Sequence, residues 1–354
     1  MSGGVDSSVA AHLLKMQGHE VVGVFMRHGK TVLATFPEAT ADLSISKPTC
    51  CSAADAEDAR RIADQLAIPF YALDLESDFE RIIDYFVDEY CAGRTPNPCI
   101  VCNQWLKFGR LFSYADSIGA EFVATGHYAR CVEQSPGSHW LCRGKDPRKD
   151  QSYVLFGIPR ARLERMLLPI GEHSKEQIRR IAAELAFSVA EKRESQEICF
   201  VPPGRHGEFI RLQRPDTDRG GNIVTSAGKV VGRHTGIENF TIGQRKGLGV
   251  AMGEPYFVVR IDALTRDVII GPRSELARTE LTATDTNWLA DVPDGPFRCT
   301  AKIRYNSPPV PAIATRLSDQ RLHVKFEQPV FGVAPGQAVV CYDSQRVLGG
   351  GWIE

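Results

Sequence analysis

Ser2-Gly3-Gly4-Val5-Asp6-Ser7-Ser8 runs directly into an apolar period of Val5, Val9 and Leu13, with Ala10 and Leu14 beside it. This i, i+4, i+8 spacing predicts a helix fed by a glycine-serine turn. The two glycines let the backbone turn tightly and approach a ligand with no Cβ in the way. Such a turn aims several N–H groups and the positive end of the helix dipole at one spot, which suits a phosphate or pyrophosphate. The pattern is not G-x-x-x-x-G-K-[ST], so it is not a Walker A loop. In an α/β fold a loop of this kind sits at the carboxyl end of a buried parallel strand, yet only Met1 precedes it. A strand of roughly five buried apolar residues is worth about 8–15 kcal/mol, as much as the ~5–15 kcal/mol net stability of a whole domain. The first strand is therefore expected to be missing, with the true start upstream and Met1 an internal methionine.

Strand and helix signals alternate over the first ~130 residues. Val21 to Met26 reads as a short buried strand, residues 27–50 as an irregular loop, and Ser52 with Asp55 as a capping box ahead of Ala56, Ala59, Ile62, Ala63 and Leu66. Phe70 to Leu75 is the next strand. Phe79, Ile82, Ile83, Phe86 and Tyr90 mark an amphipathic helix, and Glu121 to Thr125 a strand ending at Gly126-His127. The alternation predicts a parallel sheet with helices on both faces, and ligands bind such sheets at the carboxyl ends of the strands. The opening loop, Met26 and Gly126-His127 then share one rim. Residues 160–187 read helical, with a second capping box at Ser174 and Gln177.

After about residue 205, glycine and proline become frequent and short β-branched runs appear. They are Lys229 to Val231, Tyr256 to Ile261, Val268 to Ile270, Lys302 to Tyr305, His323 to Phe326 and Val339 to Tyr342. Close spacing with turn signals between predicts small β modules. The expected organisation is an α/β domain over 1–205, a small β-rich central domain over 206–278, and a C-terminal β barrel over 279–354.

With 43% hydrophobic and 24% charged residues, the chain has an ordinary globular composition. No apolar run approaches 18 residues and no secretory n-region/h-region pattern is present, so neither membrane insertion nor export is expected. A net charge of −1 argues against a strongly basic, non-specific nucleic-acid binder while allowing local basic patches. Ten scattered cysteines without a secretory signal favour a reducing, cytoplasmic compartment and thiol or metal chemistry.

Two cysteine segments stand out. Asn97-Pro98-Cys99-Ile100-Val101-Cys102-Asn103 opens a helix behind Pro96 and Pro98. A cysteine at a helix start has a lowered pKa and a raised thiolate fraction, and C-x-x-C suits a metal or a redox pair. Glu194-Ser195-Gln196-Glu197-Ile198-Cys199-Phe200 lies in a polar stretch between domains, where a buried structural thiol is less expected. Cys50 and Cys51 fall in the irregular loop, while Cys91, Cys131, Cys142, Cys299 and Cys341 sit in apolar patterns that read as core.

The opening loop resembles the SGGxDS loop of the ATP pyrophosphatases, which have the PP-loop, adenine-nucleotide alpha-hydrolase-like fold. The further segments that carry a resemblance are Gly23 to Met26, Gly93-Arg94-Thr95-Pro96-Asn97-Pro98, Cys102-Asn103, Ala124-Thr125-Gly126-His127-Tyr128, Lys149-Asp150-Gln151-Ser152-Tyr153, Ser195 to Phe200 and Thr241-Ile242-Gly243-Gln244-Arg245-Lys246-Gly247-Leu248-Gly249. Taken in this order, over essentially the whole length, the chain resembles the bacterial-type tRNA-specific 2-thiouridylases. The resemblance implies ATP on Ser2, Gly3, Gly4, Val5, Asp6 and Ser7, with Met26 and Gly126 bordering the adenosine and Mg²⁺ on the phosphates. It implies adenylation of the C2 oxygen of a tRNA wobble uridine. Cys199 would take sulfur as a persulfide from a relay protein or a cysteine desulfurase, and Cys102 would help to free that sulfur, ending in a disulfide with Cys199. The implied tRNA contacts are Asn97, Pro98, Cys99, His127, Lys149, Asp150, Gln151, Arg304, Tyr305 and Gln337. Arginine grips phosphate, tyrosine and histidine stack on unpaired bases, and amides read base edges. The target base must leave its stack to reach a cysteine in a pocket.

Cys99 stands where many family members carry aspartate, and a thiol with pKa ~8.5 is a poor proton carrier near a base. It also opens an alternative, in which Cys99, Cys102 and Cys199 hold three corners of a [4Fe–4S] cluster. Two other classes compete with thiolation. An amide-forming ATP pyrophosphatase would need an ammonia source, for which no glutaminase domain is present, and it has no use for paired cysteines. A non-catalytic RNA-binding paralogue would release no pyrophosphate with tRNA.

Overall fold

The structure is a computed structural model that describes residues 1–27, 53–192, 198–202, 204–215, 219–318 and 320–354. Most of the expected irregular loop, Cys50, Cys51, Ser52 of the first capping box, and Glu194, Ser195, Gln196 and Glu197 lie outside the described residues. The chain divides into two compact units. The first comprises Met1–Arg81, Cys99–Pro203 and Gln345–Val347, and the second Ile82–Pro98, Gly204–Ser344 and Leu348–Glu354. Among the described residues no helix is long and apolar enough to cross a membrane.

In the first unit the apolar period at the start becomes the helix Val5–Met16. Its Val5, Val9, Ala10 and Ala11 are buried with Ile62, Ala63 and Leu66 of the helix Ala53–Gln65 and with Ile178 and Ala182 of the helix Lys175–Glu184. Strands β1 (Gly23–Arg27) and β2 (Phe70–Asp74) pair in parallel, Gly23 opposite Phe70 and Arg27 opposite Asp74. The strand expected over 121–125 is reduced to β3 (Val123–Ala124). A hairpin that the sequence reading did not identify follows, β4 (Ala129–Ser135) with β5 (Ser138–Arg143). Then β6 (Met166–Leu167) pairs in parallel with β3.

The helix expected across 160–187 is interrupted. A 3-10 turn over Arg160–Arg165 and the strand β6 precede the helix Lys175–Glu184. Pro169 cannot donate to a helical ladder. At Gly171 a Cβ would stand 1.8 Å from the Ala129 carbonyl oxygen, so the chain there runs flush against β4. The capping box at Ser174 forms as expected: Gln177 N donates to Ser174 Oγ at 3.2 Å and Ser174 N to Gln177 Oε1 at 2.7 Å.

The second unit holds two β modules. Strands β7 (Gly221–Thr225), β8 (Val230–His234), β9 (Phe257–Asp262) and β10 (Asp267–Gly271) form a sheet of order β8-β7-β10-β9, in which only β7 and β10 run parallel. Its core is Ile223, Ile237, Phe240, Leu248, Val258, Val268 and Ile270. The other strands are β11 (Ala277–Trp288), β12 (Pro296–Lys302), β13 (Val310–Ser318), β14 (Arg321–Phe331), β15 (Ala338–Asp343) and β16 (Arg346–Ile353). They run β11-β14-β13-β12-β15-β16 and close as a six-stranded barrel through Ala283 opposite Ile353 and Thr284 opposite Trp352. The strand expected over Lys302 to Tyr305 ends at Lys302. Arg304 and Tyr305 lie in the following turn, where Ser307 N donates to Arg304 O.

Candidate active site

The opening loop turns tightly into the helix Val5–Met16. Gly4 caps the helix Val5–Met16 in an extended conformation and, as a glycine, supplies no side-chain cap to the first-turn N–H groups. Those donors carry the positive end of the helix dipole. Gly3 has φ +66, and a Cβ there would meet the Asp55 carbonyl oxygen at 2.2 Å, so this position takes glycine on both conformational and steric grounds. Ser7 Oγ donates to Gly4 O at 3.2 Å and accepts from Ser2 N at 3.0 Å, tying the turn to its helix. Gly126 lies against the loop, where its Cβ would stand 2.8 Å from Asp6 C and Ser7 N. Met26 lies near the carboxyl end of β1, beyond Val24, whose carbonyl accepts from the Met1 amino group.

Asp6 is held from both sides. Lys175 Nζ donates to its two carboxylate oxygens at 2.7 and 2.9 Å, and the Tyr128 hydroxyl donates to Oδ1 at 2.7 Å. Lys175 is only 7% exposed, so its ammonium depends on this pairing. Tyr128 is in turn fixed by Gln151, whose N donates to Tyr128 O and whose Oε1 accepts from Tyr128 N. Asp150 Oδ1 accepts from Gly144 N and Ser152 N, so this aspartate shapes the turn behind the loop.

Lys192 binds the loop from another direction. Its Nζ donates to Gly3 O at 2.8 Å, Asp55 Oδ1 at 2.6 Å and Asp58 Oδ2 at 2.7 Å. Those acceptors use all three donors of an ammonium group. Lys192 precedes Cys199 by seven positions in the chain. Seven residues reach at most about 25 Å.

Cys102 ends the helix Pro98–Cys102, which passes directly into a π-helix over Asn103–Arg110. Runs of this kind gather at functional sites. Cys99, rather than Cys102, occupies the first turn next to the dipole. Asn103, 1% exposed, donates through Nδ2 to Val154 O, and Gln104 Nε2 donates to Gly157 O. The beginning of the helix Glu76–Cys91 meets both cysteine segments: Arg81 lies over the Trp105 ring at 5.0 Å, and Phe79 packs edge-on to Phe200 at 5.5 Å. Cys102 and Cys199 are thiols of intermediate exposure, and Cys99 is exposed.

His127 is 7% exposed, with Thr125 Oγ1 at 2.8 Å from Nδ1 and Lys107 Nζ at 3.5 Å from Nε2. An ammonium can only donate, so Nε2 accepts and Nδ1 carries the proton. Burial first, and the Lys107 charge second, hold its pKa well below 6.5. The unfolded chain protonates His127 as pH falls through about 6.5 and the folded chain does not. Stability is therefore present above that pH and lost below it, by up to about 1.4 kcal/mol per pH unit. Urea melts from pH 7 to 5 should show a smaller drop in His127→Gln than in the parent protein; equal drops would refute the assignment.

In the second unit Gln337 is buried. Its Nε2 donates to Thr95 O at 2.9 Å and Pro96 O at 3.1 Å, while Thr95 N donates to Pro335 O. The amide thus fixes the backbone that leads into Asn97 and Pro98. Arg304 donates through Nε to Gly332 O at 3.1 Å and through Nη2 to Ile242 O at 2.7 Å. Tyr305 lies near the Lys302 ammonium, 5.8 Å from ring centre to nitrogen.

Comparison with known proteins gives this geometry its context. Residues 1–203 match a family described as tRNA methyl transferase HUP domain, residues 208–272 its PRC-barrel domain, and residues 278–353 an aminomethyltransferase beta-barrel domain. A tRNA-specific 2-thiouridylase MnmA from Rhodopirellula baltica is 53% identical, with 100% of this chain and 94% of the relative aligned. The chain belongs to the MnmA family. Further MnmA relatives, each aligned over 100% of this chain, are 48% identical in Geotalea uraniireducens (93% of that chain) and 46% in Clostridium perfringens (97%).

Sequence reasoning missed two residues that the structure bonds to the opening loop, Lys175 and Lys192. The capping box gives a sequence signal for the helix that begins at Lys175, but none for an ammonium meeting a carboxylate 169 positions away. Lys192→Met should raise the KM for ATP at least tenfold in a pyrophosphate-release assay, because Gly3 and Asp55 lose their common donor. An unchanged KM would show that the three bonds do not shape the loop.

Proposed function

We propose that the protein is an ATP-dependent tRNA sulfurtransferase that places sulfur at C2 of the wobble uridine. The observation that carries this reading is the opening loop itself, a glycine-capped helix N-terminus flanked by Gly126 and held at Gly3 O by Lys192. Family membership supports tRNA as the RNA and uridine 2-thiolation as the chemistry. ATP fits the loop: an uncapped helix N-terminus offers N–H donors to its phosphates, and Gly126 leaves its flank clear. Met26 and Gly126 border the adenosine in this reading. Among the described residues no three His, Cys, Asp or Glu side chains gather as a metal site. Mg²⁺ held mainly by substrate phosphates needs no such cage, and when bound it neutralises phosphate charge.

The uridine O2 attacks the α-phosphorus of ATP and pyrophosphate leaves, which turns O2 into a good leaving group. The terminal sulfur of a Cys199 persulfide, loaded by a relay protein or a cysteine desulfurase, then adds to C2 and AMP departs with the former O2. The Cys102 thiolate attacks the Cys199 sulfur, leaving a Cys102–Cys199 disulfide and 2-thiouridine. A thiol reductant restores both cysteines. Asn97, Pro98, Cys99, His127, Lys149, Asp150, Gln151, Arg304, Tyr305 and Gln337 remain the RNA-facing set of this proposal, with Asp150, His127, Gln337 and Arg304 acting through the backbone and side chains they hold. Among the described residues Cys99, Cys102 and Cys199 do not gather as one ligand set, which favours the persulfide route in this reading. Mass spectrometry of wobble nucleosides from cells lacking the protein tests the proposal: 2-thiolated uridine should vanish, and an unchanged level overturns the reading.

A further inference from the structure

The loop Thr241–Gly249 is built more rigidly than a surface connection requires. Gln244 N donates to Thr241 O at 2.9 Å, Thr241 N to Gln244 Oε1 at 3.0 Å, and Gln244 Nε2 to Lys246 O at 3.0 Å. Gly243 N donates to Val258 O and Val258 N to Gln244 O, locking the loop to β9. Arg304 joins it to Gly332 by donating to Ile242 O and Gly332 O. Leu248 anchors the far side in the core of the small sheet.

This scaffold displays charge. Arg245 and Lys246 are exposed, and among the described residues no hydrogen bond or ion pair engages their side chains. Gly247 and Gly249 follow at φ +75 and +70, so the backbone beyond the two cations turns with no Cβ to screen it. A hollow of about 460 Å³ lies alongside, lined by Arg245, Gly247, Val250, Met252, Glu254 and Tyr256. In a chain of net charge −1, two adjacent solvent-facing cations on a pre-shaped loop form a local basic site.

We infer that the loop Thr241–Gly249 binds the RNA phosphate backbone through Arg245 and Lys246, and that Arg304 is a positioning residue that holds this loop. The inference rests on tRNA being the substrate. Arg304 spends Nε and one Nη on backbone carbonyls, so its effect on RNA passes through the loop it grips. The ligand class is a ribose-phosphate chain, bound by charge and without base readout.

Fluorescence anisotropy with an unmodified tRNA transcript, from 50 to 300 mM salt, tests this on the full-length protein. Arg245→Ala with Lys246→Ala should weaken binding at least tenfold at low salt. It should also flatten the slope of log affinity against log salt by about 1–2, since each lost phosphate contact removes roughly 0.9. The KM for tRNA should rise while the KM for ATP does not. Arg304→Met should weaken binding too, but far less in the Arg245→Ala, Lys246→Ala background, because its effect runs through the same contacts. Gln244→Ala, which loosens the loop from within, supplies the same comparison if Arg304→Met does not fold by thermal melt. Unchanged affinity and slope in the double variant, with wild type binding and thiolating tRNA, overturn this inference alone. Additive losses would make Arg304 a direct contact and overturn its positioning role. A wild-type protein that binds no tRNA removes the thiolation reading itself.

Discussion

Cys199→Ala is expected to form no 2-thiouridine, with turnover down at least ~10³-fold, while tRNA affinity stays within a few-fold of the parent. The first effect follows from chemistry: no other group in the proposed reaction can carry the persulfide sulfur to C2. The second follows from placement. Cys199 is half-exposed, and its neighbour Phe200 packs on Phe79, so truncation to alanine removes a sulfur without unseating the aromatic anchor. ATP-dependent pyrophosphate release with tRNA should survive, because in the proposed reaction activation of the base precedes sulfur transfer. Nucleoside mass spectrometry and a pyrophosphate assay on one preparation read both outcomes. Thiolation by the alanine variant would remove Cys199 from the mechanism.

Gly126→Ala should lower ATP-dependent turnover by about 10²-fold or more. The new methyl carbon would stand 2.8 Å from Asp6 C and Ser7 N, main-chain atoms of the opening loop that cannot swing aside like a side chain. Either the loop or the Thr125–Tyr128 segment must shift, at a stability cost of about 1–3 kcal/mol. A displacement of about 1 Å in a reacting group costs ~10² in rate. Tyr128 is bonded to Asp6 and shares the moving segment, so the Asp6–Lys175 pair is strained as well. Gly295→Ala is the matched control, because a Cβ there meets nothing within 4 Å. Equal kinetics for the two variants would mean that the loop does not bind the nucleotide.

The parts of this molecule that were legible in the sequence are those set by neighbours along the chain. The helix Val5–Met16, the capping box at Ser174 and the β runs at Val268 and Val339 announce themselves through period and cap. Strand β16 does not, because Gly349-Gly350-Gly351 reads as a breaker. In the barrel the glycines are required, since a Cβ on Gly350 would stand 2.1 Å from Val339 O. The hairpin β4–β5 carries too mixed a pattern to signal a strand, and the π-helix after Cys102 has no local sequence signature that we could read. Site residues divide the same way. Ser2 to Ser7 and the two cysteine segments are motifs, whereas Lys175, Lys192 and the inward turn of Gln337 depend on partners 169, 189 and 242 positions away. No local rule reaches that far.

The most direct test loads Cys199 with labelled persulfide and follows one turnover with tRNA, with and without ATP. One labelled 2-thiouridine, one AMP and one pyrophosphate per active enzyme are expected, all dependent on ATP, with a Cys102–Cys199 disulfide left behind. Label reaching the tRNA without ATP, or AMP and pyrophosphate appearing while the sulfur stays on the protein, would contradict the proposed reaction.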